Sequence, residues 1–363
     1  MKRVFLYAYD KMNLGDDLFI HTITKRYPNV QFYIRTDVRN KTALRQLDNL
    51  KVLDKNARIP QLLGRIRGSL AARYVQYWER RCCASVYIGG SIYMEYDTSP
   101  GFLEWLEFQA ENQNFFSLGA NFGPYRTKTY HQRLGQIFEK MRDVCFRDRW
   151  SCEQFPNCSR VRYAPDILFC HPMKKMPVRV NQVFVSVINC EGKDQNAALS
   201  AMDGPYTANM ARILKGYLDA GCTLVMASFC KAEGDETAIR RILSAMNCVD
   251  DPRITILSYD GTNAQTVTDA ISQSAYVIAS RFHATILALA AGRPVLPLIY
   301  SDKTMNVLKD LAFEGTLFDI RENAVWDYTE SRRNWDQPTP VLSDTIKVAA
   351  SDHFRELDKL LAD

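Results

Sequence analysis

The chain has 363 residues, 47% apolar and 24% charged, which is the profile of a globular protein with more than one core and argues against large disordered tracts. Its net charge of +5, from 46 basic and 41 acidic side chains, is too mild to indicate nucleic acid. No window approaches the ~18 to 20 consecutive apolar residues of a membrane span, and the N-terminus lacks the apolar region and cleavage site of a secretory signal. The ten cysteines then read as reduced thiols of a cytoplasmic protein. Cys82–Cys83 is not a CxxC pair, so structural zinc is not expected.

Lys2–Ala8 predicts a first strand, followed by the loop Asn13-Leu14-Gly15 and a helix with Leu18, Phe19, Ile20, Ile23 and Thr24 on its inner face. Asp16 or Asp17 lies in that helix's first turn. Gln31–Ile34 and Lys51–Leu53 read as the next strands, so the alternation predicts a parallel sheet covered by helices. Ile59–Trp78 carries apolar residues at helical spacing with Arg65, Arg67 and Arg73 elsewhere around it. It reads either as an ordinary domain helix with solvated arginines or as a basic amphipathic element for an anionic membrane surface.

Ser85–Ile88 is a buried strand running into Gly89-Gly90-Ser91, where a bare backbone permits close approach of a ligand or merely a tight turn. Asn114–Leu118 is another, ending in Gly119-Ala120-Asn121-Phe122-Gly123-Pro124-Tyr125. Val144–Phe146 delivers Arg147, Asp148 and Arg149 to the same edge, with Arg147 either facing a ligand or pairing with Asp148 at the surface. After Asp166, the segment His171–Gln182 reads as an interdomain linker in which His171 is expected to be exposed.

The alternation then restarts. Val183–Val187 is a strand, Met210–Leu218 lies in a helix, and Thr223–Ala227 is a strand ending at Ser228 before Glu233 and Asp235. Ile254–Leu257, Tyr276–Ala279 and Val295–Ile299 are further strands, and Ala284–Ala291 is an apolar helix stopped by Gly292. A last helix is expected around Asp344–Leu361. The fold class is therefore α/β, with two Rossmann-like domains facing across a cleft. Their expected bounds are 1–175, 176–340 and, for a C-terminal helix packing back on the first lobe, 341–363.

Arg281, His283 and Lys303 fall where strands stop and helices start, the edge at which open parallel sheets bind ligands. Helix N-termini there offer free N–H groups and partial positive charge to an anion. Each residue has a plain alternative: His283 capping its helix, Arg281 paired with Asp302, Lys303 solvated. Three together point to a small, multiply charged anionic substrate.

NLGDD, GGS, GANFGPY, FRDRWS, APD, SRFH and YSDK, in that order from Asn13 to Asn306, resemble the bacterial polysaccharide pyruvyl transferase family. The resemblance implies a GT-B-like architecture and transfer of pyruvate from phosphoenolpyruvate to two hydroxyls of a sugar, giving a cyclic ketal and phosphate. It implies His283, Arg147 and Lys303 as active-site basic residues. His283 is then the proton donor, Arg147, Arg281 and Lys303 hold the donor's charges, and Asp16 or Asp17 is the base. Asn13, Gly15, Gly90, Ser91, Asn121 and Ser228 complete the expected substrate-binding set. The Arg147 segment reads RDRWS where the family pattern has RExxS. No metal or cofactor is expected beyond phosphoenolpyruvate as donor substrate, and the implied acceptor is a lipid-linked oligosaccharide at the inner membrane face. A glycosyltransferase using a nucleotide sugar, with Glu233 or Asp235 on the ribose diol, is the rival reading, and a non-catalytic carbohydrate-binding protein is the second.

Overall fold

A computed structural model describes residues 1–9, 11–37, 44, 47–55, 68–191, 197–337 and 344–362. The chain divides into two compact units, one of Met1–Lys11, Asp16–Cys170 and Ile346–Asp363, the other of Met12–Gly15 and His171–Thr345.

In the first unit, β1 (Arg3–Tyr7), β2 (Gln31–Thr36), β3 (Leu50–Asp54), β4 (Ala84–Ile88), β5 (Phe115–Ala120), β6 (Asp143–Phe146) and β7 (Val161–Tyr163) form one sheet. Its order is β3-β2-β1-β4-β5-β6-β7 and every pairing is parallel. A parallel sheet is covered on both faces, so its strands are near-continuous apolar runs, and all of β5 and β6 is buried. The order reverses between β1 and β4. At that reversal the connections leave toward opposite faces and open a crevice at the carboxyl ends. Gly89-Gly90-Ser91 follows β4 at this point.

The helix after β1 spans Leu14–Arg26, so Leu14 and Gly15 belong to its first turn rather than to a loop. Asn13 accounts for the earlier start: its Oδ1 accepts the Gly15 N–H at 3.1 Å, satisfying a donor the helix leaves orphaned. Gly68–Glu79 is helical, whereas Ile59–Arg67, with Arg65 and Arg67, lie outside the described residues.

The expected single C-terminal helix is broken into Asp344–Ser351, a tight turn at Asp352–Phe354, and Arg355–Ala362. Arg162 is the cause. Its guanidinium forks onto Asp143 at 2.7 Å twice and donates to the carbonyls of Asp352 (2.6 Å) and His353 (2.9 Å). Those carbonyls are acceptors that an unbroken helix would use internally. Ala350, Phe354 and Leu357 are nonetheless all buried, as the apolar stripe requires.

In the second unit, β8 (Arg179–Ser186), β9 (Thr223–Ser228), β10 (Ile254–Ser258), β11 (Ser274–Ala279), β12 (Val295–Ile299) and β13 (Phe318–Asp319) form a parallel sheet in the order β10-β9-β8-β11-β12-β13. Ser186 pairs with Ala227 on one side and Ala279 on the other, so the carboxyl ends of β8, β9 and β11 are level. The reversal lies between β8 and β11, and Arg281 and His283 follow β11 there. His171 is buried, 6% exposed, contrary to the linker expectation. The turn just before it buries Ile167, Leu168 and Phe169, so the chain leaves from the interior and His171 stays inside.

Candidate active site

At the carboxyl edge of the second unit, backbone and hydroxyl groups fix the exit from β11. The Ser280 N–H donates to the Ser186 carbonyl at 3.1 Å. The Arg281 N–H donates to Ser186 Oγ at 3.2 Å. Tyr206 Oη and Ser280 Oγ are 2.8 Å apart, and Tyr206 accepts the Ile188 N–H at 3.3 Å. Arg281 is the N-cap of helix Phe282–Ala290, which places half-buried His283 in the first turn, where the helix has N–H groups to spare. His283 therefore does not cap this helix.

Gly15 forms the wall beside His283: a Cβ built on Gly15 would fall within the imidazole. The Leu14 N–H donates to the Phe229 carbonyl at 3.1 Å, fixing Asn13–Gly15 at the exit of β9. The structure thus joins the NLGDD and SRFH segments through a contact that only glycine allows.

Arg281 is 6% exposed, and its guanidinium is held by two carboxylates. Nε donates to Asp235 Oδ2 at 3.0 Å, Nη2 donates to Asp235 Oδ1, and Nη1 donates to Glu233 at 2.6 Å. Asp235 also accepts the N–H groups of Phe229 (2.9 Å) and Cys230 (3.0 Å), so one carboxylate ties the exits of β9 and β11 together. A bidentate guanidinium–carboxylate pair is compact enough to do this in a dry place. Asp302 instead pairs with Arg321, so the suggested Arg281–Asp302 pair is absent. Sequence reasoning weighed Glu233 and Asp235 only as ribose ligands; nothing in their spacing shows that they meet Arg281.

The next junction is the turn after β12. Lys303 lies half-buried in the first turn of helix Asp302–Asp310, its ammonium 5.5 Å from the Tyr300 ring centroid. Ser301 is the N-cap, yet its hydroxyl makes no capping bond. Ser301 Oγ, Thr304 Oγ1 and Ser228 Oγ are buried polar atoms with no hydrogen bond to the described residues. Ser228 is 0% and Thr304 3% exposed. Buried polar groups are ordinarily satisfied. Unused hydroxyls at a helix N-terminus are therefore groups waiting for an acceptor. From the sequence Ser301 reads only as a candidate cap of this helix, and Thr304 is not singled out, although both flank the YSDK lysine.

In the first unit, Arg147 is 1% exposed. Its guanidinium donates to Asp166 at 3.2 Å and to Asn121 Oδ1 at 2.7 Å. A Cβ on Gly90 would come within 2.7 Å of it, so the bare Gly90 backbone accommodates Arg147. Asn121 in turn donates its N–H to the Gly90 carbonyl at 2.8 Å, and Ser91 Oγ lies 3.4 Å from Asn121 Oδ1. Arg147 thus props the Gly89–Ser91 turn from beneath. Asp148 is 0% exposed rather than at the surface, and its carboxylate accepts from Ser151 as N-cap of the following helix. Burial raises the Asp166 carboxyl above its ordinary value, an effect that the charge of Arg147 opposes. Asp17 is 2% exposed. Asp16 is half-buried near the Gly89 turn and, after burial itself, helps push the Tyr87 hydroxyl up to about 12.

A model of the family described as polysaccharide pyruvyl transferase matches residues 13–302. The chain belongs to that family. The match begins at Asn13 and ends one residue before Lys303. No curated protein matches the sequence. Among solved structures, this family member is similar to a putative UDP-N-acetylglucosamine 2-epimerase from Listeria monocytogenes, with TM-score 0.60 and 12% identity over 99% of this chain and 96% of that one. It is similar also to UDP-GlcNAc 2-epimerase from Neisseria meningitidis bound to UDP-GlcNAc, with TM-score 0.60 and 9% identity over 100% of both chains. A third is HepE from Anabaena in complex with UDP, with TM-score 0.57 and 14% identity over 100% of both chains. At such identities the likeness is one of fold: two Rossmann-like α/β units of the GT-B class. Among the described residues, no helix is long and apolar enough to cross a membrane.

Proposed function

We propose that this family member moves the pyruvyl group of phosphoenolpyruvate onto two hydroxyls of a sugar, closing a cyclic ketal and releasing phosphate. The observation that carries this reading is the carboxyl edge of the second unit. There, His283 and Lys303 stand in the first turns of successive helices, and the hydroxyls of Ser228, Ser301 and Thr304 have no acceptor among the described residues. Phosphoenolpyruvate offers a phosphate and a carboxylate, so it suits N–H groups, hydroxyls and one ammonium gathered at helix N-termini.

In this reading His283 protonates the donor's methylene carbon, which becomes the methyl group, and the adjacent carbon becomes cationic. One sugar hydroxyl adds to that carbon and gives its proton to a base, for which Asp16 or Asp17 is the candidate. The second hydroxyl then replaces phosphate, whose carbon–oxygen bond breaks, and its proton leaves with the phosphate. Lys303 with Ser301 and Thr304 holds the departing charge. Arg281, already bound by Asp235 and Glu233, acts by holding the turn that carries His283, and Arg147 does the same for the Gly89–Ser91 turn. That occupation of Glu233 and Asp235 also weighs against a nucleotide-sugar transferase, because it engages the two carboxylates offered for a ribose diol.

The proposed acceptor is a lipid-linked saccharide, with the arginine-rich segment ending in helix Gly68–Glu79 as contact to an anionic membrane. Incubation with phosphoenolpyruvate and a panel of lipid-linked mono- and disaccharides tests the reaction. Phosphate release together with a product heavier by pyruvate minus water supports it; hexose transfer from a nucleotide sugar, with neither change, overturns it. Charge reversal at Arg65 and Arg67 should weaken binding to anionic liposomes, and unchanged binding removes the membrane contact.

A further inference from the structure

The first unit carries two large aromatic rings at the carboxyl edge of its sheet that the reaction scheme does not use. Tyr125, in the segment after β5, is 37% exposed, and Trp150, in the helix after β6, is 40% exposed. Both lean on Phe122, which is itself 3% exposed. Its centroid lies 4.8 Å from that of Tyr125 and 6.2 Å from that of Trp150, with interplanar angles of 30° and 18°. Phe122 thus backs both rings, tilted by 30° from Tyr125 and stacked at 18° on Trp150.

The backing is held on every side. The Phe122 N–H donates to Ser151 Oγ at 2.8 Å. His131 stacks on Tyr125 at 5.5 Å and 25°, and its Nε2 is tied to the Gln154 carbonyl at 2.9 Å. Gly123 turns the chain with φ +75°, and a Cβ there would sit 3.8 Å from the Tyr125 ring and 3.9 Å from Trp150 Cη2. Glycine adopts this left-handed backbone freely, and the turn brings Tyr125 back against Phe122. An aromatic ring that merely escaped burial would not be fixed by a stacked histidine, a backbone hydrogen bond and a positive-φ glycine.

We infer that Tyr125 and Trp150 form a platform for a pyranose ring of the acceptor. The apolar C–H face of a pyranose carries partial positive charge and is flat, and it complements the negative face of an aromatic ring. Its hydroxyls need polar neighbours, for which exposed Ser91 is the candidate; the Asn121 side chain beside it is buried and holds Arg147. Protein partners want far larger apolar area than two rings, and the chain's mild charge gives nucleic acid no electrostatic footing. This inference rests on the proposed pyruvyl transfer only for its choice of a sugar as occupant.

The test is binding without donor. Methyl glycosides of gluco-, galacto- and mannopyranose, and disaccharides of the same sugars, are titrated into the full chain by saturation-transfer NMR and calorimetry. The expected result is saturation transfer to the C–H protons of at least one glycoside. Trp150→Ala and Tyr125→Ala should each weaken that binding about tenfold, equivalent to ~1.4 kcal/mol. Trp150→Phe should restore most of it, while thermal melts and phosphoenolpyruvate affinity stay unchanged. Absence of glycoside binding, or equal binding by wild type and both alanine variants, overturns the platform. Binding that needs Trp150 in a protein that releases no phosphate from phosphoenolpyruvate leaves the platform standing and removes the pyruvyl-transfer reading instead.

Discussion

The imidazole of His283 occupies the space that a side chain on Gly15 would fill. These residues are 268 positions apart, and each lies in the first turn of its own helix. Interiors pack densely, so even one methyl group must displace something. Gly15→Ala is therefore expected to move the ring. The overpacking should cost ~1–3 kcal/mol of stability, and misplacing the ring should cost about 100-fold in phosphate release. A melting curve and kcat/KM for phosphoenolpyruvate measure both. Full activity in Gly15→Ala would show that the ring's position does not matter.

Replacing His283 by Gln keeps most of the volume and removes the proton. A general acid contributes about 10²–10⁴-fold, so kcat should fall by that much while phosphoenolpyruvate still binds. Near-normal phosphate release by His283→Gln or His283→Ala would remove the proton-donor assignment.

The two carboxylates on Arg281 should differ in weight. Asp235 is 0% exposed and also holds two backbone N–H groups, whereas the Glu233 side chain is 22% exposed. Breaking a buried pair by removing one partner costs ~3–5 kcal/mol, so Asp235→Ala should lower stability by an amount near that range. Glu233→Gln should cost about 1 kcal/mol or less, as a pair at the water's edge does. Denaturant midpoints rank them; the reverse order would show that Asp235 is not the tie between the β9 and β11 exits.

Two buried groups set opposite pH dependences. His353 is 0% exposed, and burial, then the charge of Arg162, lowers it from 6.5 to about 3. The unfolded chain binds this proton first, so His353 contributes stability above pH 6.5 that is lost as pH falls toward about 3. Glu79 is 3% exposed, and burial raises it from 4.5 to about 7, with the Gln109 hydrogen bond opposing. Its contribution is complete below pH 4.5 and is lost as pH rises through about 7. His353→Gln should flatten the acid limb of a melting-temperature profile, and Glu79→Gln should raise the alkaline limb. If neither limb moves, other groups control the profile.

Much of the framework was legible along the chain. Val295–Ile299 matches its strand end for end, and the apolar runs at Ser85–Ile88 and Asn114–Leu118 fall on β4 and β5. Strands buried on both faces are continuous apolar runs, a local signal. His171 and the C-terminal helix were misread because their surroundings come from distant residues. His171 follows a buried turn, and the helix breaks where Arg162, about 190 positions earlier, takes its carbonyls.

What the sequence by itself determined is the alternation of strands and helices, the two Rossmann-like units, and the placing of Asn13, Gly90, Asn121, Arg281, His283 and Lys303 where strands end. Strand ends follow from periodicity and turn residues, which neighbours in sequence carry. The tertiary structure alone decided the partners. It set Arg281 on Asp235 and Glu233, Arg147 on Asp166 and Asn121 beneath Gly90, and Gly15 against the His283 ring. Among the described residues it also gave Ser301 and Thr304 no acceptor, and it left Tyr125 and Trp150 half in water. Strand order, not chain order, sets which carboxyl ends are adjacent. A charged side chain's role depends on what lies within a few ångströms of it, and no local pattern encodes that.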